Sequence, residues 1–289
     1  NTRSRGLGDV YKRQVQAGNF GAIRTFAEYA SEPQLKKFLP KLLAGKGVMS
    51  VGMSEPDAGS SVTDLKTSAT PDGDDFLING SKVFGTNSAE AEVFLIYLRF
   101  GPGVDGIGSA IIEKGTPGFE IGPSYRYMNG EFWSPLYFDN CRIPESSILL
   151  GAGGFKKQIS GFNIERLGNA ARAVAVGRKA FSEACEHAKT RQQFGRDICE
   201  FQGLQWKFAD MEMRLEAAQL LLLRAVTRAD SNLPSAQDSA LAKLACNEAG
   251  FFAANEALQV MGALGFSDDN IVQYCCLLYT SPSPRDRVL

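Results

Sequence analysis

The feature that most constrains the fold is a change of texture near residue 150. Between residues 48 and 150, short β-like runs alternate with turn signals. The runs are Val48–Met53, Lys66–Ala69, Phe76–Ile78, Val83–Phe84, Val93–Phe100, Gly108–Ile112, Phe119–Ile121 and Leu136–Phe138. The turn signals include Pro71-Asp72-Gly73, Asn79-Gly80 and Thr116-Pro117-Gly118. Many short strands with regular turns predict an antiparallel barrel or sandwich. From Phe155 onward the apolar spacing is helical, with helices expected to Lys189, from Gln202 to Ala229 and from Ala236 to Met261. Leu204, Phe208, Met211, Leu215, Ala218 and Leu222 make a core-facing stripe on the second. The expected class is α+β, a β-domain over 48–150 followed by a helical bundle over 151–275. Residues 15–47 are also expected to be helical, first over Asn19–Ala30 and then over Leu35–Leu43, with an interruption at Pro40 and a stop at Gly45. Ser31 and Gln34 have capping-box spacing for that second helix.

Composition excludes several function classes. A formal net charge of −1 over 289 residues gives no electrostatic case for nucleic acid. No apolar run approaches the length of a membrane span. Six cysteines without a CxxC pair read as scattered thiols of a reducing compartment. The single histidine, His187, rules out a multi-histidine metal site and is assigned no function. Gly151-Ala152-Gly153-Gly154 falls short of the strand–GxGxxG–helix pattern and reads as a hinge. Residues 1–14 and 276–289 are basic, lack the periodicity of the interior and resemble translated sequencing-adaptor peptides; both are expected to be foreign to a core near 15–275.

The stretch Met53-Ser54-Glu55-Pro56-Asp57-Ala58-Gly59-Ser60-Ser61 gathers hydroxyls and carboxylates in one turn after a strand. Pro56 restricts φ and Gly59 permits a positive one, so the turn can be sharp and expose N–H groups suited to phosphate or to a flavin edge. Alone it fits an ordinary surface turn. Three further runs change the odds: Asn79 through Asn87 (NGSKVFGTN), Arg191-Gln192-Gln193-Phe194-Gly195 and Gln259-Val260-Met261-Gly262. In order and spacing the four resemble the acyl-CoA dehydrogenase family over about residues 30–274, the first being similar to its (Thr/Ser)-Glu-Pro-x-Ala-Gly-Ser signature.

The resemblance implies FAD held between the β-domain and the bundle, and α,β-dehydrogenation of an acyl-CoA thioester to the trans-2-enoyl-CoA. A base would take the α-proton while the β-hydrogen leaves as hydride. It implies that Ser54, with backbone around Met53, serves the N1–O2 edge of the flavin, that Thr86 offers a hydroxyl near N5, and that Phe84 is an apolar wall where the family often has Trp. Ser60 would reach the pyrophosphate or substrate region. Arg191 resembles the arginine that reaches a neighbouring subunit's FAD diphosphate, while Phe194, Gln202, Gln259 and Gly262 match positions lining the adenosine half. Asn163 and Arg166 lie where the family meets CoA. Taken singly, Arg191 is equally a helix-end cation and Gln259 a solvated helix face. Glu165, directly before Arg166, matches the base position of one subgroup; a helix carboxylate paired with a cation fits it as well, since most members carry the base further along than this chain extends.

Departures from the pattern are Asp57, Ser61 and Ala263. The resemblance further implies a mostly missing N-terminal helical domain, a homotetramer, an electron-transfer flavoprotein as acceptor, and a bacterial cytoplasm or mitochondrial matrix, the former preferred. Alternatives on the same fold are an acyl-CoA oxidase, a lyase or desulfinase, or a non-catalytic flavin- or CoA-binding fragment.

Overall fold

A computed structural model of the chain describes residues 20–127, 131–229, 233–267 and 269–278. The segments expected to be foreign lie outside the described residues, apart from 276–278. Two compact units meet inside a long helix, the first ending at Gly161 and the second beginning at Phe162.

The first unit opens with helices α1 (Phe20–Tyr29) and α2 (Glu32–Leu43). The Ser31 N–H donates to Gln34 Oε1 at 2.9 Å, closing the start of α2. The expected break at Pro40 does not occur; α2 runs through it. A proline removes one helical hydrogen bond, and anchors on both sides hold the helix. Lys37 pairs with Glu113 at 2.6 Å and Lys41 with Glu92, while Leu42 is buried.

Nine strands form one sheet: β1 (Met49–Gly52), β2 (Ser68–Asp72), β3 (Asp75–Thr86), β4 (Val93–Arg99), β5 (Ile107–Glu113), β6 (Phe119–Ile121), β7 (Tyr125–Arg126), β8 (Phe132–Pro144) and β9 (Ile148–Leu150). The order is β6-β8-β3-β2-β4-β5-β9, with β1 on β4 and β7 on β8. Most pairs are antiparallel as expected, but β1 and β4 run parallel, so the sheet is mixed. The intervening β2–β3 hairpin brings the chain back in the same direction. β4 is buried from Val93 to Leu98, as a strand covered on both faces should be. Phe94, Ile96, Leu98, Ala110, Ile112 and Leu136 centre the core.

Asn79-Gly80 is not a turn. β3 passes through it as one 12-residue strand with a register shift, and Gly80 takes φ 141°. A Cβ on Gly80 would lie 2.7 Å from the Thr67 Cα, so the bulge lets two backbones touch. The hairpin turn falls two residues beyond Pro71, at Gly73 (φ 65°), with Asp72 opposite Asp75. Gly59, for its part, does not use a positive φ.

The second unit is helical. Helix α3 (Phe155–Thr190) crosses the boundary; α4 (Gln202–Thr227), α5 (Ala236–Met261) and the short α6 (Ile271–Leu278) follow. Ser235 Oγ accepts from the Asp238 N–H at 3.0 Å and caps α5. Met211, Leu215 and Ala218 of the α4 stripe are buried as the spacing predicts. α3 and α5 approach closely because their facing residues are small. A Cβ on Gly177 would be 2.8 Å from the Gly250 Cα, and one on Gly250 would be 2.5 Å from the Ala173 carbonyl oxygen. The expected loop after α3 is instead a two-strand hairpin, β10 (Gln192–Gln193) with β11 (Arg196–Asp197). Its two turn residues, Phe194 (φ 53°) and Gly195 (φ 79°), both have the positive φ of a type I′ turn.

This packing predicts that Gly250→Ala, which forces α3 from α5, lowers stability by about 1–3 kcal/mol. Gly168→Ala, with no atom within 4 Å of the new Cβ, should be neutral or gain up to about 1 kcal/mol. Denaturant midpoints of the two variants check the contrast.

Candidate functional site

The β-unit places the Met53–Ser61 turn beside the far end of β3. The Val83 N–H donates to the Ser54 carbonyl at 2.9 Å, joining the turn to the strand that carries Phe84 and Thr86. Glu55 and Ala58 close the turn with reciprocal backbone bonds of 3.1 and 3.2 Å. Glu55 itself points inward. Its carboxylate accepts from Lys82 Nζ (2.7 Å), the Thr67 N–H (2.9 Å) and the Lys66 N–H (2.6 Å). Lys82 has 0 % exposure and also reaches the Met53 carbonyl at 3.3 Å. Burial opposes charge on Glu55, but Lys82 and the N–H donors outweigh it and hold the carboxyl below its usual range. Burial dominates at Lys82 and brings its ammonium down to about 8, against the pull of Glu55. This pair was not anticipated from the sequence; its signal was a lone lysine amid the alternating residues of β3.

The end of β3 is held from several sides. The Ser50 hydroxyl donates to the Thr86 carbonyl at 2.9 Å, and the Asn87 N–H donates to the Phe132 carbonyl at 3.1 Å. A Cβ on Gly85 would be 2.2 Å from Ser88 Oγ. Phe84 sits at φ 58°, a strained backbone for a bulky residue, and is 56 % exposed. Its ring lies 4.7 Å from that of Trp133, which Tyr125 also stacks on at 4.9 Å. Ser54, Phe84 and Thr86 are thus brought together; Ser60 is exposed on the same turn.

In the helical unit, Arg191, Phe194 and Gly262 line one pocket of about 840 Å³, although 71 residues separate the first from the last. Gln202 and Gln259 are exposed, each next to a lining residue, Gly203 and Val260. Phe194 is 95 % exposed at the hairpin tip, with its ring 6.2 Å from Phe201, over which the Arg196 guanidinium lies at 4.1 Å. His187 and Lys207 line the pocket too. Burial, and then the charge of Arg191, lower the His187 pKa, so the fixed positive charge there comes from Arg191 and Lys207. Their part in the pocket follows from the turn between α3 and α4, which spacing alone did not predict.

Asn163, Glu165 and Arg166 share one turn of α3. Asn163 is buried, donates to the Pro234 carbonyl at 2.9 Å and accepts from Arg166 Nη1 at 2.7 Å. Glu165 is half-buried rather than fully buried.

These features match known proteins. The acyl-CoA dehydrogenase middle-domain profile matches residues 50–141, and the acyl-CoA dehydrogenase C-terminal-domain profile matches 152–277. The chain belongs to the acyl-CoA dehydrogenase family. It is similar to an acyl-CoA dehydrogenase of Bacillus subtilis (strain 168), 34% identical over 250 residues, which are 85% of this chain and 66% of the relative. It is also similar to a 3-sulfinopropanoyl-CoA desulfinase of Variovorax paradoxus, 36% identical over 264 residues, 87% of this chain and 66% of the relative. The solved structure of butyryl-CoA dehydrogenase from Megasphaera elsdenii superposes with a TM-score of 0.83 at 31% identity, covering 88% of this chain and 68% of that one. The chain therefore spans just under two thirds of the length of these curated relatives. No described helix is long and apolar enough to cross a membrane.

The buried pair sets an acid limit. With its folded pKa below the ordinary 4.5, Glu55 contributes stability that is complete above that value and drains as pH falls through the folded pKa. Glu55→Gln should flatten the pH dependence of the melting temperature below about pH 4.5. Lys82→Met, which strands a buried carboxylate, should cost about 3–5 kcal/mol, and the double variant less than Lys82→Met alone; urea titrations of the three compare them.

Proposed function

We propose that the protein is an FAD-dependent acyl-CoA dehydrogenase, converting an acyl-CoA thioester to the trans-2-enoyl-CoA. The observation that carries this reading is the convergence of Ser54, Phe84 and Thr86. A turn and a strand 30 residues apart present a polar backbone edge, a hydroxyl and an exposed aromatic ring together. The fit to a flavin ring is chemical: donors for a polar edge and a flat apolar wall for a flat ring. The pocket of Arg191, Phe194 and Gly262 fits the other half of such a cofactor, a guanidinium for a diphosphate and apolar walls for an adenine. FAD, when bound, supplies the two-electron acceptor of the reaction.

The remaining roles belong to the protein. Met53 and Ser54 hold the polar flavin edge, Thr86 offers its hydroxyl, and Ser60, Gln202 and Gln259 flank the two halves of the cofactor site. Asn163 and Arg166, already bonded to each other, face the CoA moiety. Glu165, beside Arg166, accepts the α-proton as general base. The family assembly is a homotetramer in which Arg191 and Phe194 serve the cofactor of a neighbouring copy; the 95 % exposure of Phe194 supports an external partner. An electron-transfer flavoprotein reoxidises the cofactor. Six free thiols support a reducing compartment, in the first instance a bacterial cytoplasm.

A second reading, acyl-CoA desulfination, is favoured by one observation, the 36% identity to the Variovorax desulfinase.

Anaerobic mixing with butyryl-CoA is expected to bleach the yellow flavin. Glu165→Gln should slow bleaching by about 10²–10⁴-fold with the flavin still bound. Bleaching at an unchanged rate in that variant would remove Glu165 as the base. A flavin that never bleaches with acyl-CoA thioesters, while 3-sulfinopropanoyl-CoA is consumed, would move the assignment to the second reading.

A further inference from the structure

Thr86 is embedded in an aromatic box whose members come from three strands and a loop. Its direct partner across the β3–β8 ladder is Trp133. Around the Trp133 indole stand Phe84 at 4.7 Å, Tyr125 at 4.9 Å and Tyr127 at 6.2 Å. The two tyrosines stack nearly parallel to it, at interplanar angles of 28° and 29°. Tyr127 is half-buried, its N–H bonded to the Glu131 carbonyl at 2.8 Å, and its phenol hydrogen-bonds to the Thr86 side chain.

We propose that Tyr127 is a positioning residue that fixes the Thr86 hydroxyl toward the flavin. The inference rests on the flavoprotein reading above. A threonine hydroxyl has one proton and two lone pairs, and it rotates to suit its partners. A phenol is the stronger donor of the two. With Tyr127 donating, Thr86 Oγ1 accepts, and the Thr86 proton is left to point away from the box, toward a ligand. Burial raises the phenol pKa, so Tyr127 stays protonated and able to donate across the physiological range. The rest of the box removes the alternatives. The Thr86 carbonyl is occupied by Ser50, the backbone on either side is pinned by Gly85 against Ser88 and by Asn87 on Phe132, and the Tyr127 ring is held on Trp133. A donor delivered from a fixed ring to a fixed strand keeps one rotamer, which is what a group meeting a reacting edge requires.

The test is a double-mutant cycle on the full chain, with FAD affinity and the visible flavin spectrum as readouts. Tyr127→Phe keeps the ring and its stacking but removes the phenol hydroxyl. It is expected to weaken FAD binding about fivefold, the worth of one hydrogen bond, and to shift the flavin absorption bands, while the melting temperature of the flavin-free protein is unchanged. In a Thr86→Val background the same substitution should do nothing further. Thr86→Ser, which keeps the hydroxyl without perturbing Tyr127, should retain affinity and gives a second, independent variant. If Tyr127→Phe matches the wild type in both readouts, or weakens binding equally with and without the Thr86 hydroxyl, the inference is overturned and the flavoprotein reading stands. A wild-type chain that takes up no FAD would overturn both.

Discussion

A lysine with no solvent exposure in the middle of a sheet has to be matched, and here Glu55 matches it. The desolvation of Lys82 and Glu55 would cost several kcal/mol each if either were alone. Together, with the Thr67 and Lys66 N–H groups and the Met53 carbonyl completing their hydrogen bonds, they hold the turn after β1 against β3. Everything assigned to the flavin ring depends on that junction. Ser54 precedes Glu55 and Phe84 lies two residues beyond Lys82, so loss of the pair would free both sides of the site. Such a pair adds little net stability compared with a well-packed apolar one; its value is in specifying one arrangement.

The helical unit reaches the same end by other means. Its interface between α3 and α5 is made of glycine and alanine, so the two backbones are nearly in contact at Gly177 and Gly250. Two long helices packed that tightly form a rigid support. The mobile choices are confined to the α3–α4 turn, where the hairpin projects Phe194 and sets Arg191 beside Lys207 and Gly262. Strain is local in both units: Phe84 and Phe194, two bulky residues with positive φ, both stand at proposed ligand walls.

Much of this was legible in the chain. The alternation of short apolar runs identified the sheet, and α5 was delimited at Ala236 and Met261 from spacing alone. The order of four motifs implied the family. What was misread shares one cause. Asn79-Gly80 has the chemistry of a hairpin turn, but Thr67 packs against Gly80 and turns it into a bulge. Pro40 has the chemistry of a helix break, but ion pairs on both flanks keep α2 continuous. In each case a contact distant in sequence outweighed a local preference of about 1–3 kcal/mol.

By itself, then, the sequence determined the element types, the helical boundaries and the family, because periodicity and motif spacing are properties of neighbours along the chain. Only the tertiary structure decided that Lys82 belongs to Glu55, that Tyr127 and Trp133 surround Thr86, and that His187 and Lys207 share a pocket with Arg191 and Gly262. Those pairings join residues 20 to 75 positions apart, and no local rule relates them. They exist because burying a charge, a hydroxyl or an aromatic ring obliges it to find a partner wherever the folded chain supplies one.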